Sequence, residues 1–170
     1  MKTKTINLYS FSELSEKAKE NAINKLSDIN VDFNWWEGME EDAKIVGIEI
    51  REFDCDRNMI KGSFLLSACE VAQNILNNHG ETCDTYKTAQ SFMEEWQPVF
   101  NNYMDESHKD YESRESEDKM VEMEGDFLQS ILEDYLIPLR HEFEYLTSEE
   151  SIIGTIEANE YDFDIDGNMI

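Results

Sequence analysis

Apolar and polar positions along this chain change period several times, and each change predicts an element. From Thr3 to Tyr9, Ile6 and Leu8 alternate with Thr5, Asn7 and Tyr9, which predicts a short strand. Ser10-Phe11-Ser12-Glu13 is a capping box, in which the serine caps and the glutamate reaches back. Leu14, Ala18, Ala22 and Leu26 then recur every four residues, predicting a helix with a narrow apolar stripe of mostly small residues. A shorter helix is predicted from about Asn34 to Val46. Ile48–Phe53 and Met59–Leu66 read as strands of a hairpin, joined through Asp54-Cys55-Asp56-Arg57-Asn58.

The second half is mainly helical in pattern. Ser67–Glu70 is another capping box, opening a helix with Val71, Ala72, Ile75 and Leu76 inward and Gly80 as its stop. Tyr86, Ala89, Met93, Trp96, Phe100 and Tyr103 keep helical spacing, with a kink or break expected at Pro98. Asp126-Phe127-Leu128-Gln129 is placed to cap a long amphipathic helix carrying Leu128, Ile131, Leu132, Tyr135, Leu136, Leu139, Phe143 and Leu146, bent at Pro138. Thr147–Glu150 caps a last short helix, and Tyr161, Phe163 and Ile165 alternate as a last strand. The expected fold is α+β: a small antiparallel sheet of three to four strands packed with about five helices. Residues 1–170 are expected to form a single domain, with an acidic segment near 105–126 that lacks an apolar period and reads as a solvated helix end, a mobile loop or an insertion.

Charge changes this picture most. The chain has 39 acidic against 14 basic residues, a formal net charge of −25. Such an excess repels a phosphate backbone, so direct binding to nucleic acid or an anionic membrane is not expected, and a charge-selected partner is a basic protein. Met1–Trp36 balances five bases against five acids, so the whole excess lies beyond it. From Met120 to Ile170 the one base, Arg140, faces fourteen acids. The asymmetry points to an acidic face, with an ordinary solvated surface as the plain alternative. No window approaches the roughly 18 apolar residues of a membrane span, the N-terminus lacks a signal-peptide core, and three cysteines do not make a disulfide framework. A cytoplasmic protein of a bacterial host cell is expected.

Three possible chemistries fail on spacing. Phe53-Asp54-Cys55-Asp56-Arg57-Asn58-Met59-Ile60 recurs as Phe163-Asp164-Ile165-Asp166-Gly167-Asn168-Met169-Ile170, and both start like a calcium loop. The sixth loop positions are Met59 and Met169 where an EF-hand needs Gly, and the first copy has Leu65 where it needs Glu. Turn-forming Asp and Asn explain both copies, through convergence on one turn type in preference to duplication. Cys69, His79 and Cys83 are zinc-ligand types, yet Cys69 and His79 are about 15 Å apart on a helix, too far for one shell. No nucleophile elbow, Walker pattern or dinucleotide fingerprint occurs, so no catalytic residue, cofactor or metal is assigned and the chain is not expected to be an enzyme.

Two groups of residues fit protein binding. Trp35 and Trp36, beside Glu37, Glu40, Glu41 and Asp42, carry a residue type enriched at interface hot spots, and adjacent helix positions cannot share a face. Packing of both rings against neighbouring elements is the plain alternative. Asp105, Glu106, Asp110, Glu112, Glu115, Glu117, Asp118, Glu122 and Glu124 form the second group, which could imitate duplex phosphates before a basic channel.

Leu8-Tyr9-Ser10-Phe11-Ser12-Glu13-Leu14-Ser15-Glu16-Lys17-Ala18-Lys19 resembles the opening of a family of small phage and prophage proteins of low-GC Gram-positive bacteria. Gly80–Gln90 (GETCDTYKTAQ) is similar to its middle; Ile131–Tyr135, Glu144–Glu150 (EYLTSEE) and Ile156–Tyr161 are similar to its end. The likeness spans most of the chain outside Asp105–Lys119. The resemblance attaches no catalytic residues; it implies a phage protein of antitoxin-like or anti-CRISPR type. The function so expected is counter-defence: binding a nucleic-acid-handling effector such as Cas9 or another CRISPR effector and blocking its DNA. The alternative is an antitoxin-like or regulatory binding module whose acidity serves only solubility.

Overall fold

The structure is a computed structural model that describes the backbone of residues 7–104 and 111–170, with the side chains of the same residues except 111–114. Its elements are a 3-10 turn (Phe11–Glu13), α1 (Glu16–Lys25), α2 (Glu37–Val46), β1 (Ile48–Asp54), β2 (Met59–Phe64), α3 (Ala68–Asn78), α4 (Asp84–Met104), α5 (Tyr111–Leu146) and α6 (Glu149–Ala158). The class is α+β, with six helices and one two-stranded antiparallel sheet among the described residues. The chain divides into two compact units: Met1–Trp35 with His141–Ile170, and Trp36–Arg140.

The unit formed by the two chain ends packs α1 and α6. Its core joins Phe11, Leu14, Ala18 and Ala22 to Ile152, Ile156 and Phe163. The four-residue spacing explains why: Ala18 and Ala22 occupy one helix face and are small enough to admit a close neighbour. The capping box at Ser10 and Glu13 forms as its residues dictate, but it opens the 3-10 turn; Ser15 caps α1 itself by accepting from the Ala18 amide. Asn30 is buried and fully used, its amide donating to Leu146 O at 3.1 Å and Ser151 Oγ at 3.0 Å, while Thr155 Oγ1 donates to its Oδ1 at 2.7 Å. Ser148, one residue after the expected start, caps α6.

Sheet size is where expectation and structure part. Of Thr3–Tyr9, Thr3–Ile6 lie outside the described residues, and Tyr9 makes a single antiparallel bridge to Phe163 through two 2.9 Å backbone hydrogen bonds. Phe163 also bridges Met169, so Tyr161–Ile165 contributes isolated bridges, not a full strand. Tyr9 and Phe163 do meet, but among the described residues the expected three- to four-stranded sheet reduces to two strands. Asp164 competes for the backbone: its carboxylate accepts from the amides of Asp166 and Asn168, turning the chain immediately.

The second unit is built on the β1–β2 hairpin. Its register runs from Ile48 opposite Phe64 to Asp54 opposite Met59, with an irregularity between Ile50 and Glu52. That extra residue shifts the parity, so Ile48 and Ile50 are buried, Arg51 and Glu52 are exposed, and Phe53 is again half-buried. In the hairpin turn Asp54 Oδ1 accepts from the Arg57 amide at 2.9 Å and Asn58 takes a φ of 52°. The related C-terminal turn puts its positive φ one position earlier, at Gly167. The two turns are alike in chemistry but not in backbone.

Helices α2, α3, α4 and most of α5 complete this unit. Helix α2 starts at Glu37, three residues later than expected, and ends on Gly47 in the left-handed conformation. The Ser67–Glu70 capping box opens α3 as predicted. Helix α4 continues through Pro98 and α5 through Pro138. A row of rings runs through the interior: Phe64 on Phe127 at 5.8 Å, Phe127 on Phe92 at 4.2 Å, Phe92 by Trp96 at 6.2 Å, and Trp96 on Phe100 at 4.6 Å. Helix α5 begins at Tyr111, fifteen residues before the expected cap at Asp126. Among the described residues no helix is long and apolar enough to cross a membrane.

Candidate protein-interaction surface

The helical state of residues 111–126 turns an acidic stretch into a surface with a definite geometry. At 100° per residue, Glu115, Asp118, Glu122, Asp126, Gln129 and Glu133 fall on one side of α5, at three- and four-residue steps. All six are exposed. The stripe is about 27 Å long at the α-helical rise. Over Glu115–Asp126 its carboxylates are spaced about 5.5 Å along the axis. Among the described residues none of its five carboxylates meets a lysine or arginine; Glu133 accepts only from Gln129 Nε2, at 2.7 Å. The unit that holds the stripe has 25 acidic and nine basic residues, a net charge of −16. The remaining −9 belongs to the other unit, where residues 141–170 carry nine acids and neither lysine nor arginine.

The acidic residues singled out from sequence separate on this helix. Glu115, Asp118 and Glu122 share the stripe, whereas Glu117 and Glu124 lie roughly on the opposite side. Glu124 is half-buried, and with Glu70 it helps hold the Cys69 thiol up at about 11, the larger cause being burial of the sulfur. Asp105, Glu106 and Asp110 lie outside the described residues, as does the side chain of Glu112. Asp126, read from the sequence as part of a helix cap, and Glu133, which the sequence did not single out, join the stripe. Their three- and four-residue spacing was the signal that could have found them.

The two tryptophans belong to different units, and each packs in its own. Trp35 lies 5.8 Å from the ring of Phe143, tilted by 37°, and Trp36 meets Phe53 edge to face at 5.9 Å. Both are half-buried, the packing alternative in each case. Beside Trp36, Glu37 and Glu41 are exposed, and Glu40 is half-buried with Lys44 Nζ 3.7 Å away.

A second polar group was invisible in the sequence. Asp42 of α2, His79 at the end of α3, Thr85 of α4 and Tyr135 of α5 converge. Tyr135 Oη donates to Asp42 Oδ2 at 2.7 Å, and His79 Nδ1 lies 2.7 Å from Thr85 Oγ1. His79 Nε2 lies 3.3 Å from Asp42 Oδ2, at an angle that makes the two electrostatic neighbours without a hydrogen bond. Burial, and then the Asp42 carboxylate, push the Tyr135 phenol upward, so it stays a donor at physiological pH. The group ties four helices together. Among the described residues no three His, Cys, Asp or Glu side chains gather as a metal-ligand set.

No protein-family model, no curated protein and no solved structure matches this chain.

Proposed function

We propose that this chain is a non-catalytic binding protein that presents the acidic side of α5 to a basic, nucleic-acid-handling protein. The observation that carries this is the run of exposed carboxylates from Glu115 to Glu133, none of them in an ion pair with a described lysine or arginine although Lys119 stands on the same side of the helix. Carboxylates crowded along one helix side repel one another in the free protein, and a cationic counterpart relieves that repulsion. The phage-family resemblance narrows the proposal to a counter-defence protein in the bacterial cytoplasm, binding a CRISPR effector such as Cas9 and excluding its DNA. The test is DNA binding by a panel of guide-loaded effectors over a salt series, with wild type and with a Glu115→Gln/Asp118→Asn/Glu122→Gln variant. Wild type should lower DNA binding at low salt, less so as salt rises, and the variant should fail to do so. Undiminished DNA binding across the panel at low salt would reject the counter-defence form.

One observation favours a second reading. A single DNA strand places a charge about every 3.4 Å along its axis, so carboxylates about 5.5 Å apart are a sparse imitation. An antitoxin-like or regulatory partner does not need phosphate-like density. In that case the triple variant keeps its partner, whereas Trp36→Ala weakens it.

A further inference from the structure

Between α4 and α5 a groove of about 310 Å³ opens beside the acidic stripe. Its apolar floor is formed by Phe92, Phe127 and Met123. Its lining also includes exposed carboxylates from both helices, Glu95 of α4 and Asp126 of α5, and the exposed Ser91 and Ser130. Glu95 Oε1 accepts from Ser91 Oγ at 3.2 Å; neither carboxylate is paired with a lysine or arginine among the described residues. Asp126 belongs to both features, so the groove is continuous with the stripe.

We infer that this groove is an anchor for one arginine side chain of the basic partner. The inference rests on the protein-binding reading above and specifies its chemistry. A long cationic side chain needs apolar surface for its methylene stem and acceptors at its tip, which is the order found from floor to rim. The volume lies at the low end for ligand sites, suited to one side chain and not to a large organic molecule. Arginine fits better than lysine for two reasons. Its planar guanidinium offers donors in several directions at once, so it can reach carboxylates on both walls, and it is more weakly hydrated and enters a partly apolar groove with less loss. A lysine ammonium is a compact, strongly hydrated point charge and gains little from the floor.

The test uses terminally blocked tetra-arginine and tetra-lysine peptides, titrated calorimetrically into the full chain at physiological salt. Wild type should bind the arginine peptide about tenfold more tightly than the lysine peptide. Glu95→Gln, and separately Ser91→Phe, which fills the groove without changing charge, should bring the two peptides to equal affinity. The Glu115→Gln/Asp118→Asn/Glu122→Gln variant should weaken both peptides alike and keep the arginine preference. Equal affinities in wild type, or a preference that survives both groove variants, would overturn the anchor while leaving the stripe to be judged by the triple variant. A triple variant that binds both peptides as wild type does would overturn the stripe, and a preference abolished by Glu95→Gln and Ser91→Phe would still uphold the anchor.

Discussion

Tyr135 Oη donates to Asp42 Oδ2 at 2.7 Å, joining two residues 93 positions apart in the chain. The tyrosine side of this bond is buried and the aspartate about half exposed, its side chain being 48% accessible. Removing the hydroxyl therefore loses a bond to an ionised acceptor without stranding a fully buried charge. Tyr135→Phe should cost about 1.5 kcal/mol, toward the low end for bonds to charged groups. Urea denaturation measures it as a lower midpoint with an unchanged slope.

Cysteine reactivity should follow environment closely. The Cys69 thiol is held at about 11 by burial and by Glu124 and Glu70, whereas Cys83 is exposed. At pH 8 only about one Cys69 in a thousand is thiolate, the reactive form. Timed iodoacetamide labelling read by mass spectrometry should modify Cys83 first and Cys69 last in the folded protein.

Asp134 should leave a signature in the pH dependence of stability. Burial, then the nearby Asp84 and Glu133 carboxylates, raise its carboxyl above the ordinary range, against opposing effects of Thr88 and Lys87. The folded state thus holds this proton more tightly than the unfolded chain. Its contribution is full below the unfolded value of about 3.9 and is lost as pH rises through the folded value. Asp134→Asn keeps an acceptor for Thr88 Oγ1, now 2.7 Å away. It should raise the urea midpoint at pH 7, with the gain fading as pH falls toward 4.

Two glycines of one unit should respond oppositely to alanine. Gly167 has a φ of +80°, and a Cβ there would run into the backbone carbonyl of Ala18. Gly167→Ala should lower stability by more than about 2 kcal/mol. Gly154 lies inside α6 with nothing within 4 Å of its missing Cβ. Gly154→Ala should add about 0.5–1 kcal/mol. Thermal melts of both variants separate the effects.

How much of this was legible in the sequence depended on where each feature keeps its signal. The two strands of the Ile48–Phe53 and Met59–Leu66 hairpin and the Ser67–Glu70 box have local signals and appear where expected, with the second strand ending two residues early at Phe64. The helical state of the acidic stretch, one of three readings its pattern allowed, was not singled out because Glu115–Gly125 buries no side chain fully and so shows no apolar period. The last strand was over-read, since alternation around Phe163 reflects one buried ring and a turn closed by Asp164. Asp42, His79, Thr85 and Tyr135 come from four elements, and no spacing in a linear chain announces such a meeting. The acidic group was half legible: its charge stood out, but its division between opposite sides of α5 required the helix.

The acidic-side proposal is tested most directly by quantitative capture from bacterial lysate at physiological salt, comparing wild type with the Glu115→Gln/Asp118→Asn/Glu122→Gln variant. The proposal predicts a specific basic nucleic-acid-handling protein enriched on wild type and lost from the variant. The same protein retained in equal amount by both would contradict it.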